Sequence, residues 1–557
     1  KMLNFIIGRN NSGKTEKIRA LIAERASENK KCILIVPEQF SFESERSILE
    51  KIGAQKMLNV DILSFTRLAF VINEQYGKAL NKTIDDGTRK VLMSLSLEAL
   101  SGKLEYFKRF SSKPALLSNL LTFVTELKQC AVTPDEIAEI SGKTGNKSLG
   151  KKLSELSLIA ASYDALVSRS FFDDENLLTI AADMISETDF FDGKAVYFDA
   201  FCGFTKQERN CIKSILPKAE NVFISLCTDR DLSREGVSVF ENVNSEFSHL
   251  KECAAEQNVG VSSPEILNVK EDGRSPELVY LEKYLCGEEF KPYKEECDNI
   301  VVCAAGNRAD EADFVACEIK KLLRCNPTLR CRNIAVIERT AGTYDKELSE
   351  SFKKYGVPMF EDKRRPIGIQ PVMVFVKCLL ALCAEGFSTE SFMRLLKTGL
   401  TALSGDEISE LENYAFLWNI DGSKWRRDFT ENPDGLGFDV TEKSQEKLIR
   451  LNDIRKKSVL PVLAFKKDFE EADGEKKSRL IYEFLIKNGV TERLREKIEY
   501  LVSSGDTVLC EEQDTVWATL MDMLGKMASA IGETVITAKR YSELFNILLS
   551  AVTLGSL

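Results

Sequence analysis

The residues with the most recognisable chemistry lie near the N-terminus, directly after a short apolar run. They read Gly8, Arg9, Asn10, Asn11, Ser12, Gly13, Lys14 and Thr15. This spacing matches G-x-x-x-x-G-K-[ST], in which backbone N–H groups surround phosphates, the lysine meets the β/γ oxygens and the hydroxyl binds Mg²⁺. Asn11 suits the tight turn because asparagine tolerates left-handed backbone better than most residues. We therefore predict an ATP site here, against the alternative of a plain glycine-containing turn.

An acidic residue follows a later apolar run. Residues 195–198 are continuously apolar and lead into Asp199. A carboxylate that ends an apolar strand downstream of a phosphate loop is the Walker B pattern, and it holds Mg²⁺ directly or through water. We therefore predict that Thr15 and Asp199 bind the Mg²⁺ that accompanies ATP.

Polar and aromatic residues follow three of the strand-like runs. In chain order they are Gln39, Ser41, Phe65, Arg67, Phe70, Phe201 and Phe204. Ligands of an open α/β sheet bind beyond the carboxyl ends of its strands, so we expect these side chains along one rim. There, aromatic rings would stack on the bases of a single strand while Arg67 meets phosphate. The alternative, that Phe65 and Phe70 are core residues of the following helix, stays open.

The elements that must position these residues are short apolar runs separated by amphipathic stretches. The runs are residues 3–7, 32–36, 60–63, 195–198 and 222–226. Continuous apolar runs of this length are typical of parallel strands buried on both faces. A long helical pattern separates the third run from the fourth. The sequence therefore predicts a doubly wound α/β sheet with a large helical insertion.

Taken in order, these motifs resemble the AddB subunit of bacterial AddAB helicase-nucleases, which are relatives of superfamily 1 helicases. The resemblance is carried by residues 8–15, 36–39, 64–68, 199–201 and 204–208. Further along, residues 333–339 are similar to the motif IV strand of helicases, and residues 362–366 fit the same family. The resemblance implies an α/β fold of the P-loop, superfamily 1-like helicase type, with doubly wound parallel sheets and large helical insertions.

The resemblance also implies a domain organisation. Residues 1–83 and 187–291 would form the P-loop domain, with a helical insertion at 84–186. Residues 297–383 would form part of a second RecA-like domain, and residues 384–557 a mainly helical region that is incomplete at its C-terminus. In that second domain Arg339, Arg364 and Arg365 are added to the predicted DNA contacts, although each is also explained as a solvated or ion-paired surface residue.

Composition narrows the possible chemistry. The chain has 557 residues, a net charge of −10, 15 cysteines and one histidine. The histidine, His249, makes histidine-based triads and metal centres improbable, and the cysteines contain no C-x-x-C pair. No run is long and apolar enough for a membrane helix, and no signal peptide is recognisable, so we predict a cytoplasmic protein without a membrane partner.

The resemblance implies a function in DNA repair. Such a subunit forms a heterodimer with an AddA-type motor and nuclease subunit, contacts single- and double-stranded DNA, and helps to recognise a recombination hotspot during double-strand break processing. Family members continue into a nuclease domain with an iron–sulfur cluster, which we expect only beyond residue 557. No catalytic residue is therefore predicted within this chain, although the complex as a whole is a hydrolase.

Ala200 separates this hypothesis from an active superfamily 1 translocase. Active relatives carry a glutamate directly after the Walker B aspartate, and loss of a general base costs about 10²- to 10⁴-fold in rate. Glu208 is an alternative base, although a carboxylate that starts a helix more often serves as a cap. A third hypothesis, a nucleotide-dependent scaffold without DNA contact, leaves the aromatic and basic residues at the strand ends unexplained.

Overall fold

The computed structural model describes residues 1–77, 84–108, 113–170, 174–229, 239–268, 273–284, 291–361, 365–505 and 507–554. Within these ranges the chain is of the α/β class, with one parallel sheet and many helices. The described part contains no helix long and apolar enough to cross a membrane.

Parallel strands form the sheet of the N-terminal region. Among the described residues they are β1 (Met2–Gly8), β2 (Cys32–Ile35), β3 (Val60–Leu63), β4 (Ala195–Phe198), β5 (Asn221–Cys227), β6 (Gly260–Val261) and β7 (Glu265–Ile266). Their order is β3-β2-β4-β5-β1-β6, with β7 also paired to β1, and every ladder is parallel. The five predicted strands are confirmed, whereas β6 and β7, at two residues each, are too short to show a pattern.

Helices account for most of the remaining described residues. The first half contains α1 (Lys14–Ser27), α2 (Ser41–Ile52), α3 (Ala54–Met57), α4 (Phe65–Tyr76), α5 (Asp86–Ala99), α6 (Pro114–Gln129), α7 (Pro134–Lys143), α8 (Lys147–Ser170), α9 (Asp174–Glu187), α10 (Lys206–Ile215), α11 (Glu241–Glu256) and α12 (Pro276–Tyr284). The second half contains α13 (Arg308–Cys325), α14 (Asp345–Tyr355), α15 (Pro371–Ala384), α16 (Thr389–Leu396), α17 (Gly405–Leu417), α18 (Glu442–Glu471), α19 (Gly474–Lys487), α20 (Val490–Ser503), α21 (Thr507–Ile531) and α22 (Ala538–Ala551).

Helices cover both faces of the parallel sheet. Phe5 of β1 packs into one core together with residues of α4, α9 and α10, whereas the next residue, Ile6, packs into a second core with residues of α1 and α2. Alternate residues of a strand point to opposite faces, which explains why a continuous apolar run is needed here. The doubly wound arrangement predicted for the first sheet is thus present, and it places the strand ends at one open edge.

The two helical regions share one hydrophobic core. Met93 of α5 and Tyr163 of α8 belong to the same buried cluster as Leu379, Trp425 and Phe545 from the C-terminal half. In contrast, α9 packs against α4 and α10 of the first domain. The insertion predicted at residues 84–186 therefore divides its packing between two cores, and the domain boundaries themselves stay predictions.

The second parallel sheet that was predicted is not formed by the described residues. Residues 334–338, predicted as a motif IV strand, are extended but have no strand beside them, and Ile337 is 90% exposed. A strand exists only when a neighbour accepts its backbone hydrogen bonds, and the described segments provide none here. The second sheet that is present is a two-residue antiparallel pair, β8 (Arg365–Pro366) with β9 (Thr553–Leu554). The prediction of a second doubly wound sheet is therefore wrong for the described part of this chain.

Candidate nucleotide and nucleic-acid site

The phosphate loop connects β1 to α1, as the motif predicts. Gly13 and Asn11 both adopt left-handed backbone, with φ of 87° and 59°. A side chain at Gly8 would be impossible without rearrangement, because its Cβ would lie 2.4 Å from Ser12 Oγ and 2.8 Å from the carbonyl oxygen of Leu267. The loop is thus a tight turn whose backbone N–H groups lead directly into the first turn of α1.

Lys14 is the cationic group of this loop. Its Nζ donates hydrogen bonds to the carbonyl oxygens of Gly8, at 2.8 Å, and Arg9, at 2.7 Å. The N-terminus of α1 has no side-chain cap, so the N–H groups of its first turn are open to an anion. An ammonium group and open N–H groups on one loop are the chemistry that polyphosphate requires.

Arg9 contributes to the loop through its backbone, because its side chain is held elsewhere. The guanidinium lies 2.6 Å from Asp229, which follows β5, and 3.7 Å from Glu282 of α12. It also lies over the ring of Phe240 at 5.5 Å. These contacts join the phosphate loop to elements that follow the sheet, and they leave Arg9 as a structural residue of the predicted nucleotide site.

Asp199 lies at the end of β4 and is 5% exposed. Its carboxylate accepts a hydrogen bond from Ser225 Oγ of β5, and its N–H donates to the carbonyl oxygen of Ile35 at 3.1 Å. Thr15 is half-buried on the first turn of α1. A carboxylate and a hydroxyl are the oxygen ligands that Mg²⁺ takes beside nucleotide phosphates, so the residue types fit the ion.

Ala200 adopts left-handed backbone, with φ of 65°. This conformation costs an L-residue about 1–2 kcal/mol, whereas glycine adopts it freely but loses about 0.5–1 kcal/mol more entropy on folding. We expect Ala200→Gly to raise the free energy of unfolding, by at most about 1 kcal/mol. Urea denaturation followed by circular dichroism measures the change. The control, Ala138→Gly on the exposed face of α7, should change stability in the opposite direction; a loss at both positions would contradict the prediction.

The exits of β2 and β3 are joined at the same edge of the sheet. Ser64 Oγ donates to Glu38 Oε1 at 2.7 Å and accepts from the N–H of Arg67 at 3.1 Å. Gln39 and the side chain of Arg67 are exposed beside this link, and Ser41 Oγ donates to the carbonyl oxygen of Glu38. The structure therefore brings the predicted polar residues together, while their contact with DNA stays a prediction.

The predicted aromatic residues divide into buried and exposed groups. Phe65 packs on Phe201 and Phe204 with ring centroids 5.5 and 6.1 Å apart. Phe65 and Phe204 are 6% and 7% exposed, whereas Phe70 is 44% exposed. In this conformation Phe65 and Phe204 are core residues, and Phe70 is free to stack on a base. Sequence reasoning missed Phe42, which is 77% exposed close to Gln39, although its place three residues after Gln39 was a usable signal.

The predicted basic residues of the second domain have different surroundings. Arg365 Nη2 pairs with Oε2 of the buried Glu512 at 2.9 Å, which joins β8 to α21. Arg339 is exposed, and Arg364 lies outside the described residues. Arg365 thus fits the ion-pair interpretation, and a DNA contact by Arg339 stays a prediction.

Glu208, the alternative base, is part of a helix cap. Its Oε2 accepts from the N–H of Thr205 at 2.7 Å, while Thr205 Oγ1 accepts from the N–H of Glu208 at 3.2 Å. Burial raises the pKa of Glu208 above its ordinary value. The carboxylate therefore serves the first turn of α10.

Comparison with known proteins follows the same N-terminal region. Residues 5–282 match the family model described as ADDB, N-terminal. This chain carries an AddB-type N-terminal domain. The AddB-type domain contains the parallel sheet, the phosphate loop and the rim described above, and the resemblance derived from the motifs is confirmed.

Similarity to AddB-type proteins extends past this domain. Proteins named as the B subunit of an ATP-dependent helicase/deoxyribonuclease match nearly the whole chain. The protein from Acetivibrio thermocellus is 29% identical over 98% of this chain and 48% of its own length. That from Clostridium botulinum strain Hall is 28% identical over 99% and 49%, and that from Thermoanaerobacter sp. strain X514 is 29% identical over 100% and 49%. The chain thus spans about half the length of the curated relatives it matches.

Proposed function

We propose that this chain is the helicase-like, DNA-handling half of the AddB-type subunit of an ATP-dependent helicase/deoxyribonuclease. In this proposal it works with an AddA-type motor and nuclease subunit to process double-strand breaks for homologous recombination. The observation that carries the proposal is the phosphate loop and the polar and aromatic rim on one parallel sheet, in a chain whose relatives bear that name. The iron–sulfur cluster and the nuclease centre are not assigned to these residues.

The nucleotide has a defined place in this proposal. Lys14 and the N–H groups of α1 would hold the phosphates of ATP, while Thr15 and Asp199 would hold Mg²⁺. Ala200 has no carboxylate with which to orient an attacking water, so hydrolysis would be slow or absent. An active translocase, the alternative, requires a base that the residues around Asp199 do not supply.

A single strand would run along the rim. Phe42 and Phe70 are exposed apolar rings that can stack on any base, whereas Gln39, Ser41 and Arg67 can form hydrogen bonds with base edges and phosphates. Phe65, Phe201 and Phe204 would support these residues from the core. The strand would thus be held by stacking, and the polar residues would contribute the preference for a recombination hotspot.

Substitutions along the rim test this function. We expect Phe42→Ala and Phe70→Ala to weaken binding of all single strands, because a base stacked on an aromatic ring gains about 1–3 kcal/mol. Gln39→Ala and Arg67→Ala should reduce discrimination between sequences more than they reduce overall affinity. Fluorescence anisotropy with labelled oligonucleotides measures both quantities in the full-length protein with its partner subunit.

Leu58→Ala is the matched control. Leu58 is 84% exposed and lies before β3, at the opposite edge of the sheet, so its loss removes an exposed apolar side chain far from the rim. Equal effects of Leu58→Ala and Phe70→Ala would contradict the proposed path of the strand. Absence of any single-strand binding would instead favour the nucleotide-dependent scaffold.

A further inference from the structure

A polar cleft lies beside the rim, between the first turn of α10 and one face of α11. Its volume is about 480 Å³, which falls in the range of small-molecule sites. Phe204 forms part of its wall, and Arg209, Ser245, Glu246 and His249 contribute polar groups. Because Phe204 also belongs to the aromatic cluster with Phe65 and Phe201, the cleft adjoins the end of β4 where the rim lies.

Glu246 has an unsatisfied acceptor in this cleft. The residue is 5% exposed, and its Oε2 accepts from Arg209 Nη1 at 3.0 Å. Its other oxygen, Oε1, is buried and has no hydrogen-bond partner in the part of the chain that the structure describes. Buried polar atoms are almost always hydrogen-bonded, so a missing donor is expected from a ligand.

The charges of the lining residues define that ligand. Glu208 and Glu246 face a single guanidinium, that of Arg209, whose Nη1 also lies 3.4 Å from His249 Nδ1. Two carboxylates beside one cation repel a phosphate. The N-terminus of α10 is no anion site either, because Thr205 and Glu208 already cap it. The cleft is therefore suited to a neutral group that offers an N–H donor next to an acceptor.

We propose that this cleft binds a base of the single strand through its exocyclic amino group, an inference that rests on the proposed function. Glu246 Oε1 accepts from the amino N–H, and Arg209 donates to the neighbouring ring nitrogen or carbonyl of the same base. Adenine, cytosine and guanine carry such an amino group, and thymine does not. The cleft thus adds a base-selective contact to a rim that otherwise holds the strand by stacking.

Homopolymers test the inference without knowledge of which base enters the cleft. Every base of oligo-dC carries an exocyclic amino group, and no base of oligo-dT does. We expect the full-length protein with its partner subunit to bind oligo-dC roughly tenfold or more tightly than oligo-dT, because a hydrogen bond to a buried carboxylate is strong and costly to leave unmade. Fluorescence anisotropy gives both dissociation constants.

Glu246→Gln is the decisive variant. Arg209 needs an acceptor at its own position, so the glutamine amide nitrogen takes the place of the free oxygen and presents a donor to the base. The preference should then fall roughly tenfold, towards oligo-dT, while binding of oligo-dT itself does not weaken. Glu252→Gln, on the exposed face of the same helix, should leave the preference unchanged.

A second variant keeps the test independent of the buried ion pair. Ser245 is exposed on α11, so Ser245→Leu narrows the cleft without disturbing Glu246 or Arg209 and should also abolish the preference. An unchanged ratio in both variants overturns the inference, as does weakened association with the partner subunit at an unchanged ratio, since the cleft then takes a cationic side chain of that subunit. If the unsubstituted protein binds neither homopolymer, the proposed function itself fails.

Discussion

Replacing Lys14 by alanine should weaken binding of ATP with Mg²⁺ by roughly 10- to 100-fold. The ammonium is the cation of the phosphate loop, and hydrogen bonds to charged groups contribute about 1.5–3 kcal/mol each. The variant should still fold, because Lys14 is only half-buried and its present partners are the carbonyl oxygens of Gly8 and Arg9. Isothermal titration calorimetry with a non-hydrolysable ATP analogue measures the loss.

Lys17→Ala serves as the control for this experiment. Lys17 lies three residues further along α1 and pairs with Glu265 at 2.8 Å, so it carries the same charge outside the loop. Its removal should leave nucleotide affinity nearly unchanged. The proposal of slow hydrolysis has its own check: DNA-stimulated turnover at ordinary helicase rates that is lost with Lys14→Ala would show that a base is present and would contradict the role given to Ala200.

Trp425→Ala should lower the free energy of unfolding by about 3–5 kcal/mol, the usual result of removing a buried tryptophan. Trp425 is fully buried between Phe392 and Phe429, with ring centroids 4.9 and 5.9 Å away. Its Nε1–H donates to Thr389 Oγ1 at 2.9 Å. The truncation therefore opens a cavity and leaves the threonine hydroxyl without this donor. Chemical denaturation followed by far-ultraviolet circular dichroism measures the loss.

Trp418→Ala is the matched comparison in the same region. Trp418 is only half-buried, and its Nε1–H donates to the carbonyl oxygen of Asn432 at 3.0 Å. Its truncation removes less buried apolar surface and should cost clearly less. Equal losses from the two substitutions would show that the shared helical core does not depend on Trp425 in the way that its burial indicates.

The sequence was most informative where local patterns determine structure. The phosphate loop was predictable because its glycines and Asn11 occupy left-handed or crowded positions that few other residues tolerate. The strands of the first sheet were predictable because burial on both faces requires continuous apolar runs. By contrast, residues 334–338 carry a strand-like pattern without a neighbouring strand among the described residues, and no local pattern reports whether a neighbour is present.

Long-range packing explains what the sequence did not reveal at the rim. The strand ends placed Phe65 and Phe70 at one edge, but burial of Phe65 depends on Phe201 and Phe204, more than 130 residues further along the chain. The polar cleft was missed for the same reason. Arg209 and Glu246 are separated by 37 residues, and each alone is typical of an amphipathic helix surface.

The shared core of the two helical regions has a consequence for biosynthesis. Its first contributors lie within residues 84–167, and the rest begin at residue 367, so about 200 residues must be translated between them. At roughly 5–20 residues per second this takes about 10–40 s. During that interval the apolar faces of α5, α6 and α8 have no partner to cover them. Newly made chains should therefore depend on chaperones that shield these helices until translation of the second half begins to supply their partners.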